Sequence, residues 1–542
     1  MRVEEYPWSK SQALAEDYVH NIEKARAIFP YHPSVEANWS KRAKWLDQSN
    51  RFTANRSELV KVLLEYNKII GNTSEAIENI KSLEDPSTLA VVGGQQTGLF
   101  TGPLLVIYKA ITLIQSAKHA EKLLNRKVIP VFWLAGEDHD FDEVNHTFTL
   151  TQQLEVSKIR IDHPTGIRCS VSKLTIQQWE EAIQQLDNSL MHTEFKAGLI
   201  HKLSEIGAQS LTLVDFFARI FVWLFREQGL ILMDSDNPAI RGLEGPMFSQ
   251  LLQKHEIINQ AYLQGKDRVE ALGYKAQSEL APHNVNLFVF TDQGERVLLQ
   301  WDGHQYHDKK KERSFTVDEM NHWAETCPER LSNNVMTRPL MQEFLFPVLA
   351  TVLGPGEIAY WGLTGLAFEA LGMEMPIIIP RMEFTLIEGT VAKQMDKFTL
   401  SFETVVEEFE LWKQEWLTAQ DQLGLPARFT EAKQQFNQVY GPIVDTLAGI
   451  NPGLRKLGET NMHKIIEQME FLEAKAVEAN LVQYEAALRH LDRIRLTLYP
   501  LGKPQERVYN IIGYLNKYGE SFLQQLLELP YTTEGSHRII YI

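Results

Sequence analysis

Two polar segments carry side chains whose types and spacing could do chemistry: Gly93-Gly94-Gln95-Gln96-Thr97-Gly98 and Glu137-Asp138-His139-Asp140. The second places three carboxylates around one imidazole, a set that can hold His139 in one tautomer with raised basicity and let it take a proton from an ammonium nucleophile. Extended by Asp142 and His146, the same set offers oxygen and nitrogen ligands for a divalent metal. No HExxH helix accompanies it, and no metal is expected. The first segment combines small residues, exposed amides and carboxamides at a helix start, which suits carboxylates, sugar hydroxyls or phosphate. Lys109, two helical turns further on, is a candidate cation there. A plain strand-to-helix turn and a solvated acidic loop are the structural alternatives for the two segments.

The glycine-rich segment is close to two nucleotide fingerprints and satisfies neither. Gln95 stands where GxGxxG needs its second glycine, and Leu99-Phe100 replaces the Lys-Ser/Thr of a P-loop whose glycine spacing Gly93 and Gly98 share. A looser set comprises Trp301, Asp302, Arg338, Tyr360, Trp361 and Arg381, all near expected segment ends. Arginine grips carboxylates bidentately and aromatic rings can floor a sugar or base, although each residue taken singly also suits packing or a surface ion pair. Tyr499, Lys503, Gln505, Arg507 and Asn510 could hold an anion or nucleotide, or cap the long helix before them.

For the two segments to face one ligand, they must follow neighbouring parallel strands, because open α/β sheets bind ligands at the carboxyl ends of their strands. The apolar runs Thr88 to Val92 and Val128 to Leu134 fit such strands, with a helix opened by Gly102-Pro103 and running to about Leu124 between them. Leu230 to Met233 and Ile377 to Ile379 read as further strands, Asn286 to Gln300 as a hairpin around Asp292-Gln293-Gly294, and Pro339 as a helix start. The pattern divides the chain into N-terminal helices with the first part of an α/β core (1–143), an insertion (144–210), the rest of the core with its hairpin (211–390), a helical arm (391–500) and a returning segment (501–542).

The arm shows heptad spacing at Val405, Phe409, Trp412, Trp416, Ala419 and Leu423, and again at Ile465, Met469, Leu472, Ala476 and Ala479. A single helix from about Leu454 to Leu498 would span roughly 65 Å at about 1.5 Å per residue, which predicts an antiparallel coiled coil and a dimer.

Composition narrows the function. A net charge of -16, from 54 basic and 70 acidic residues, argues against broad contact with nucleic acid or an anionic membrane. The N-terminus lacks a signal-peptide core and no apolar run reaches spanning length, so a cytoplasmic protein is expected. Cys169 and Cys327, the two cysteines, form neither a disulfide framework nor a thiolate zinc motif.

Gly94-Gln-Gln-Thr-Gly-Leu-Phe-Thr-Gly-Pro-Leu104, Trp133-Leu-Ala-Gly-Glu-Asp-His-Asp-Phe141 and Gly354-Pro-Gly-Glu357, followed by a coiled coil, together resemble the BshC family, the cysteine ligases of bacillithiol biosynthesis. The resemblance covers essentially the whole chain. It implies a Rossmann-like parallel-sheet core with inserted connecting segments, a long α-helical antiparallel coiled-coil arm and a homodimer. The implied task is to join L-cysteine to the amine of glucosaminyl-malate. Such a bond needs an activated acyl donor, so ATP or another acyl-activating nucleotide is expected. On this reading His139 accepts the amine proton, while Glu137 and Asp138 position amine or hydroxyl groups. Gln95, Gln96 and Thr97 contact the sugar or the reacting carbonyl, Gly98 and Asp140 count among the substrate-binding residues, and Arg338 or Arg381 takes the malyl carboxylates. The HIGH and KMSKS motifs of Rossmann-type synthetases are absent, with Lys393 to Lys397 only a faint echo. A metal-dependent hydrolase or amidase built on the Glu137 to Asp140 loop, and a non-catalytic coiled-coil scaffold, are the competing readings.

Overall fold

The computed structural model describes residues 1–48, 52–278, 280–420, 424–482 and 484–542. In chain order its strands are β1 (Arg2–Tyr6), β2 (Leu89–Gln95), β3 (Val128–Leu134), the hairpin β4 (His146–Leu150) and β5 (Val156–Arg160), β6 (Ile231–Asp234), β7 (Asn284–Phe290) and β8 (Arg296–Trp301). Short β9 (Tyr306–His307) and β10 (Ser314–Phe315) follow, then β11 (Leu331–Asn333), β12 (Val348–Leu353), β13 (Ile377–Pro380), β14 (Glu383–Ile387) and β15 (His537–Tyr541).

A parallel five-stranded sheet of order β13-β12-β2-β3-β6 forms the centre. Its strands are apolar on both faces, as burial under helices on both sides requires. The helix Leu104–Leu124 lies between this sheet and a second layer. Leu104, Ile107, Ile111 and Ile114 are fully buried, and Tyr108 on another side of the helix meets Phe384 of β14 with ring centroids 4.8 Å apart. Each such side chain contributes about 1.5–3 kcal/mol by burial. The order of the sheet reverses at β2: the chain proceeds to β3 and β6 on one side and returns as β12 and β13 on the other. A switch of this kind opens a crevice at the carboxyl edge.

Two features of this sheet depart from the sequence reading. β2 continues past Val92 through Gly93 and Gly94 to Gln95, pairing Gly94 with Trp133 and Gln95 with Leu134. The glycines are therefore strand residues, and Gly94 is needed because a Cβ there would meet the Trp133 carbonyl at 2.7 Å. β12, absent from the sequence reading, lies between β2 and β13. Pro347 supplies the physical reason: it forces Phe346 into an extended conformation, φ -121 and ψ 152, which stops the helix Arg338–Leu345 and launches the strand.

Around the central sheet, an antiparallel sheet of order β10-β9-β8-β7-β11 contains the expected hairpin, turned at Gly294 with φ +79. A three-stranded sheet, β1-β15-β14, brings the two ends of the chain together. By internal contacts, residues Met1–Leu386 with Lys503–Ile542 form one unit and Ile387–Gly502 a second.

The second unit is helical. Leu425–Ile450 and Pro452–Val482 form an antiparallel hairpin, with Val444 against Gly458, Tyr440 Oη donating to Asn461 Oδ1 at 2.6 Å, and Lys433 paired with Glu473. The single helix expected from Leu454 to Leu498 is two, Pro452–Val482 and Glu485–Leu498. Tyr484 marks the break: its ring packs edge-on against Trp416 and its hydroxyl donates to the Gln420 carbonyl, contacts that periodicity cannot foretell. Of the first heptad row, Val405 and Phe409 are buried, Trp412 and Trp416 pack on Phe398, and Ala419 is exposed. Leu423 lies outside the described residues. Of the second row, Ile465, Met469 and Ala476 are half-buried, while Leu472 and Ala479 are exposed. Among the described residues no helix is long and apolar enough to cross a membrane.

Candidate functional site

The parallel register brings Gln95, Leu134 and Asp234 level at the carboxyl edge of the sheet, so the loops after β2, β3 and β6 meet there. Gln96 bridges two of its neighbours, its Nε2 donating to Asp138 Oδ2 and Glu143 Oε2, both at 2.8 Å. Asp138 also accepts from the His139 and Asp140 backbone N–H groups at 2.7 and 3.3 Å. Burial alone would raise the Asp138 carboxyl. The Gln96 carboxamide, Arg296, Arg338 and the Asp140 N–H outweigh it and hold the group below its ordinary range.

Glu137 is buried beside Arg338, whose Nη2 and Nε lie 3.1 and 3.2 Å from Oε1. His139 sits between two arginines: Arg168 Nη2 is 2.8 Å from its Nε2 and Arg296 Nη1 is 3.2 Å from its Nδ1. The raised basicity expected from three surrounding carboxylates is corrected here. Burial first, then Arg296 and Arg168, push the imidazole below its ordinary value, and Asp138 and Asp140 only partly oppose them. His139 is thus neutral and able to accept a proton, but it is a weaker base than the sequence suggested. Asp140 is exposed at the rim.

Lys109 is buried and fully engaged. Its ammonium donates to the Gly94 carbonyl at 2.7 Å, Gln95 Oε1 at 3.0 Å and Glu357 Oε2 at 2.5 Å. Burial lowers its pKa from the ordinary lysine value, against the pull of Glu357. Its role in this structure is to tie the end of β2 to the helix Pro355–Trp361, rather than to present a free cation. Gln95, Arg338, Tyr360 and Trp361 line one small crevice of about 30 Å³ at the switch between β2 and β12, together with Trp133 and Glu357. Burial and the nearby Glu357 push the Tyr360 hydroxyl well up, so it stays a proton-bearing donor. Trp133 Nε1 and Thr97 Oγ1 are buried without hydrogen-bond partners.

Gly98 lies in a tight turn in which Phe100 and Thr101 adopt φ +52 and +80, a conformation uncommon for residues with a side chain. Asn510 holds this turn: its Nδ2 donates to the Phe100 and Gly102 carbonyls at 2.7 and 2.5 Å, and its Oδ1 caps the helix Ile511–Tyr518.

Other sequence candidates are placed elsewhere. Arg381 is closed on Glu506 through contacts of 2.6 and 2.9 Å. Trp301 packs on Tyr306 and His255 and donates to Glu256 Oε1 at 3.1 Å, roughly 17 Å along β8 from Arg296. Asp302 is exposed and accepts from two backbone N–H groups of its own turn. Gln505 exchanges hydrogen bonds with the Leu386 backbone, Lys503 and Arg507 are exposed, and Tyr499 belongs to the helical unit with Arg495 over its ring. Gln505 and Asn510 are thus engaged in holding backbone. Among the described residues, no group of three or more His, Cys, Asp or Glu side chains is placed to hold a metal ion, and Glu137, Asp138, His139, Asp140, Asp142 and His146 do not assemble into one.

Sequence reasoning missed Arg168 and Arg296, lone arginines with no motif around them. It also passed over the chemistry of Asp234 and Asp236, although their place just after an apolar run was a usable signal. Ser172 Oγ lies 2.9 and 2.8 Å from the two Asp234 oxygens, and Ser170 Oγ lies 2.5 Å from Asp236 Oδ2. Gly136 admits this approach, since a Cβ there would meet Ser172 Oγ at 2.0 Å. Desolvation, reinforced by Asp236, pushes Asp234 up to about 7.

A doubly wound parallel sheet with its polar groups gathered at a switch point, joined to a helical hairpin unit, defines a Rossmann-like protein with a coiled-coil domain. The particular family follows from comparison with known proteins. The model described as Bacillithiol biosynthesis BshC, N-terminal Rossmann-like domain, matches residues 1–382, and that of the BshC C-terminal coiled-coil domain matches residues 384–542. The chain belongs to the BshC family. It is 35% identical over 531 residues to a protein of Bacillus cereus (strain AH187) named Putative cysteine ligase BshC, covering 98% of each chain. Proteins of the same name from Bacillus cytotoxicus and Bacillus anthracis (strain CDC 684 / NRRL 3495) are 36% and 35% identical, again over 98% of each chain.

Proposed function

We propose that this protein is the ligase that joins the carboxyl group of L-cysteine to the amine of glucosaminyl-malate in bacillithiol biosynthesis. The observation that carries the reading is similarity over 98% of the chain to relatives named for cysteine ligation. The polar edge of the sheet supports it in detail. An ionised carboxylate is a poor acyl donor, so the proposal includes activation of the cysteine carboxyl by ATP or another nucleotide.

The residues of this chain supply the acceptor side of the reaction. The sugar amine must lose a proton as its nitrogen bonds to the acyl carbon, and neutral His139 is the group that takes it. Asp138, held ionised, and Gln96 orient the amine and its neighbouring hydroxyls. Arg338, paired with Glu137 but with its side chain 20% exposed, offers charge to a malyl carboxylate from the wall of the crevice, a role for which Arg381, 2% exposed and closed on Glu506, is less suited. The same reading makes the enzyme a cytoplasmic homodimer joined through the helical unit.

Reconstitution tests it. Purified protein is incubated with cysteine, glucosaminyl-malate and ATP, and bacillithiol together with AMP or ADP is followed by mass spectrometry. Product above a His139→Ala control is expected. Product formation no greater than that control would overturn the assignment.

A further inference from the structure

His139 faces guanidinium donors on both of its ring nitrogens, 2.8 Å at Nε2 and 3.2 Å at Nδ1. A neutral imidazole has one N–H and one lone pair, and a guanidinium can only donate. Only one of these two contacts is therefore a hydrogen bond; the other sets N–H against N–H. Protonating the ring would make both contacts repulsive. An acceptor with negative charge is the missing partner for this pair of arginines.

The two arginines reach the site from separate parts of the fold. Arg296 is fixed in place: its Nε contacts Ser332 Oγ at 3.2 Å, its Nη2 donates to the Asn333 carbonyl at 2.6 Å, and its guanidinium lies 3.9 Å over the Phe288 ring. Arg168 is exposed on the segment that follows β5, and it is brought alongside by a backbone bond of 3.1 Å from Arg296 N–H to the Arg168 carbonyl. One donor is rigid and the other is free to turn from the imidazole to a ligand. Asp138 Oδ1 is 3.9 Å from Arg296 and 3.8 Å from His139 Nδ1, too far for a hydrogen bond, and already accepts from two backbone N–H groups, while Oδ2 accepts from Gln96.

We propose that Arg168 and Arg296 form a subsite for the carboxylate or phosphate group of a small molecule, whose docking draws Arg168 away from His139 and frees the imidazole lone pair for proton transfer. The identity of the anion rests on the ligase reading, in which the acceptor carries malyl carboxylates and an activated donor carries phosphate. Arginine forks suit both groups.

The test needs no turnover, so a failed reconstitution leaves it standing. The full-length protein, labelled at histidine, is titrated by NMR with the His139 signal assigned through His139→Gln. L-Malate and inorganic phosphate are the two probes, and the one with the lower half-saturation identifies the source of the anion. The groups facing the ring are Arg168, Arg296, Asp138 and Asp140. Neutralising the two arginines with a bound anion should raise the His139 midpoint by about one pH unit. In Arg168→Ala, an exposed substitution that spares the core, the midpoint should already be raised without anion and half-saturation should weaken by about tenfold. Arg168→Lys should retain part of the response. A His139 signal unmoved by tens of millimolar of either probe, or an Arg168→Ala protein that responds like the parent, would overturn the proposal.

Discussion

Arg338 Nη2 lies 3.1 Å from Glu137 Oε1, while Glu137 Oε2 is buried with no hydrogen-bond partner. The pair joins the loop after β3 to the helix that precedes β12, and so fixes one side of the crevice. A buried carboxylate deprived of its ion-pair partner is costly, about 3–5 kcal/mol when a pair is broken from one side.

Arg338→Met should therefore lower the thermal midpoint of the first unit and reduce ligation by about 100-fold or more, with Arg338→Lys intermediate on both measures. Thermal denaturation and product formation are read on the same preparations. An Arg338→Met protein equal to the parent in both would show that Glu137 is satisfied in another way.

Asp234 makes a pH prediction with a defined sign. Its folded value, pushed up to about 7 by desolvation and Asp236, exceeds the ordinary 3.8. Between those limits the folded state binds more protons than the unfolded chain, so this group makes stability fall as pH rises from about 4 to 7 and has no further effect above. Asp234→Asn keeps an acceptor for Ser172 but cannot ionise. Its stability relative to the parent should rise across that window by a few kcal/mol at order of magnitude, and then level off. Chemical denaturation at several pH values checks this; a difference independent of pH would refute it.

The elements of the site were legible where physics is local. The apolar runs before Gly93 and Glu137 announce buried parallel strands, and Gly102-Pro103 announces the helix between them. β12 was missed although Pro347 had marked the end of the preceding helix, because an apolar run of that length fits helix and strand alike. The environment of His139 was out of reach. Its carboxylates are neighbours in sequence, but Arg168 and Arg296 come from 29 and 157 residues away, and with burial they outweigh those carboxylates. Asn510 was misread for a related reason: a polar residue after a helix looks available for a ligand until the strained Phe100-Thr101 turn is found beside it.

His537 gives the opposite pH sign. On β15 it accepts or donates at 2.8 Å with Thr385 Oγ1, and burial, aided by Lys10 and Arg381, depresses it to about 3 against the pull of Glu383. The unfolded chain takes up the proton near 6.5, so stability is intact above that value and is lost as pH falls towards 3. The shift corresponds to a loss on the order of 4–5 kcal/mol. His537→Asn, which keeps a partner for Thr385, should flatten the acid limb of a stability-against-pH curve; an unchanged limb would assign acid sensitivity to the carboxylates alone.

The helical hairpin carries the last prediction. Val439, Ile443, Leu447 and Ile450, spaced 4-4-3 along Leu425–Ile450, form an apolar row exposed by 68, 47, 37 and 75%. The adjoining face of that helix, with Tyr440 and Val444, is already occupied by Pro452–Val482. A row of this length is more apolar surface than an isolated hairpin needs to show, and apolar residues recurring three or four apart are the geometry of a further helix-to-helix contact. If the chain dimerises through this unit, light scattering should give twice the chain mass of 62.3 kDa. The double substitution Val439→Glu and Ile443→Glu should return it to one chain with circular dichroism unchanged, since both side chains are exposed. A monomeric parent at working concentration would rule out the dimer, and a dimer indifferent to the double substitution would move the interface off this face.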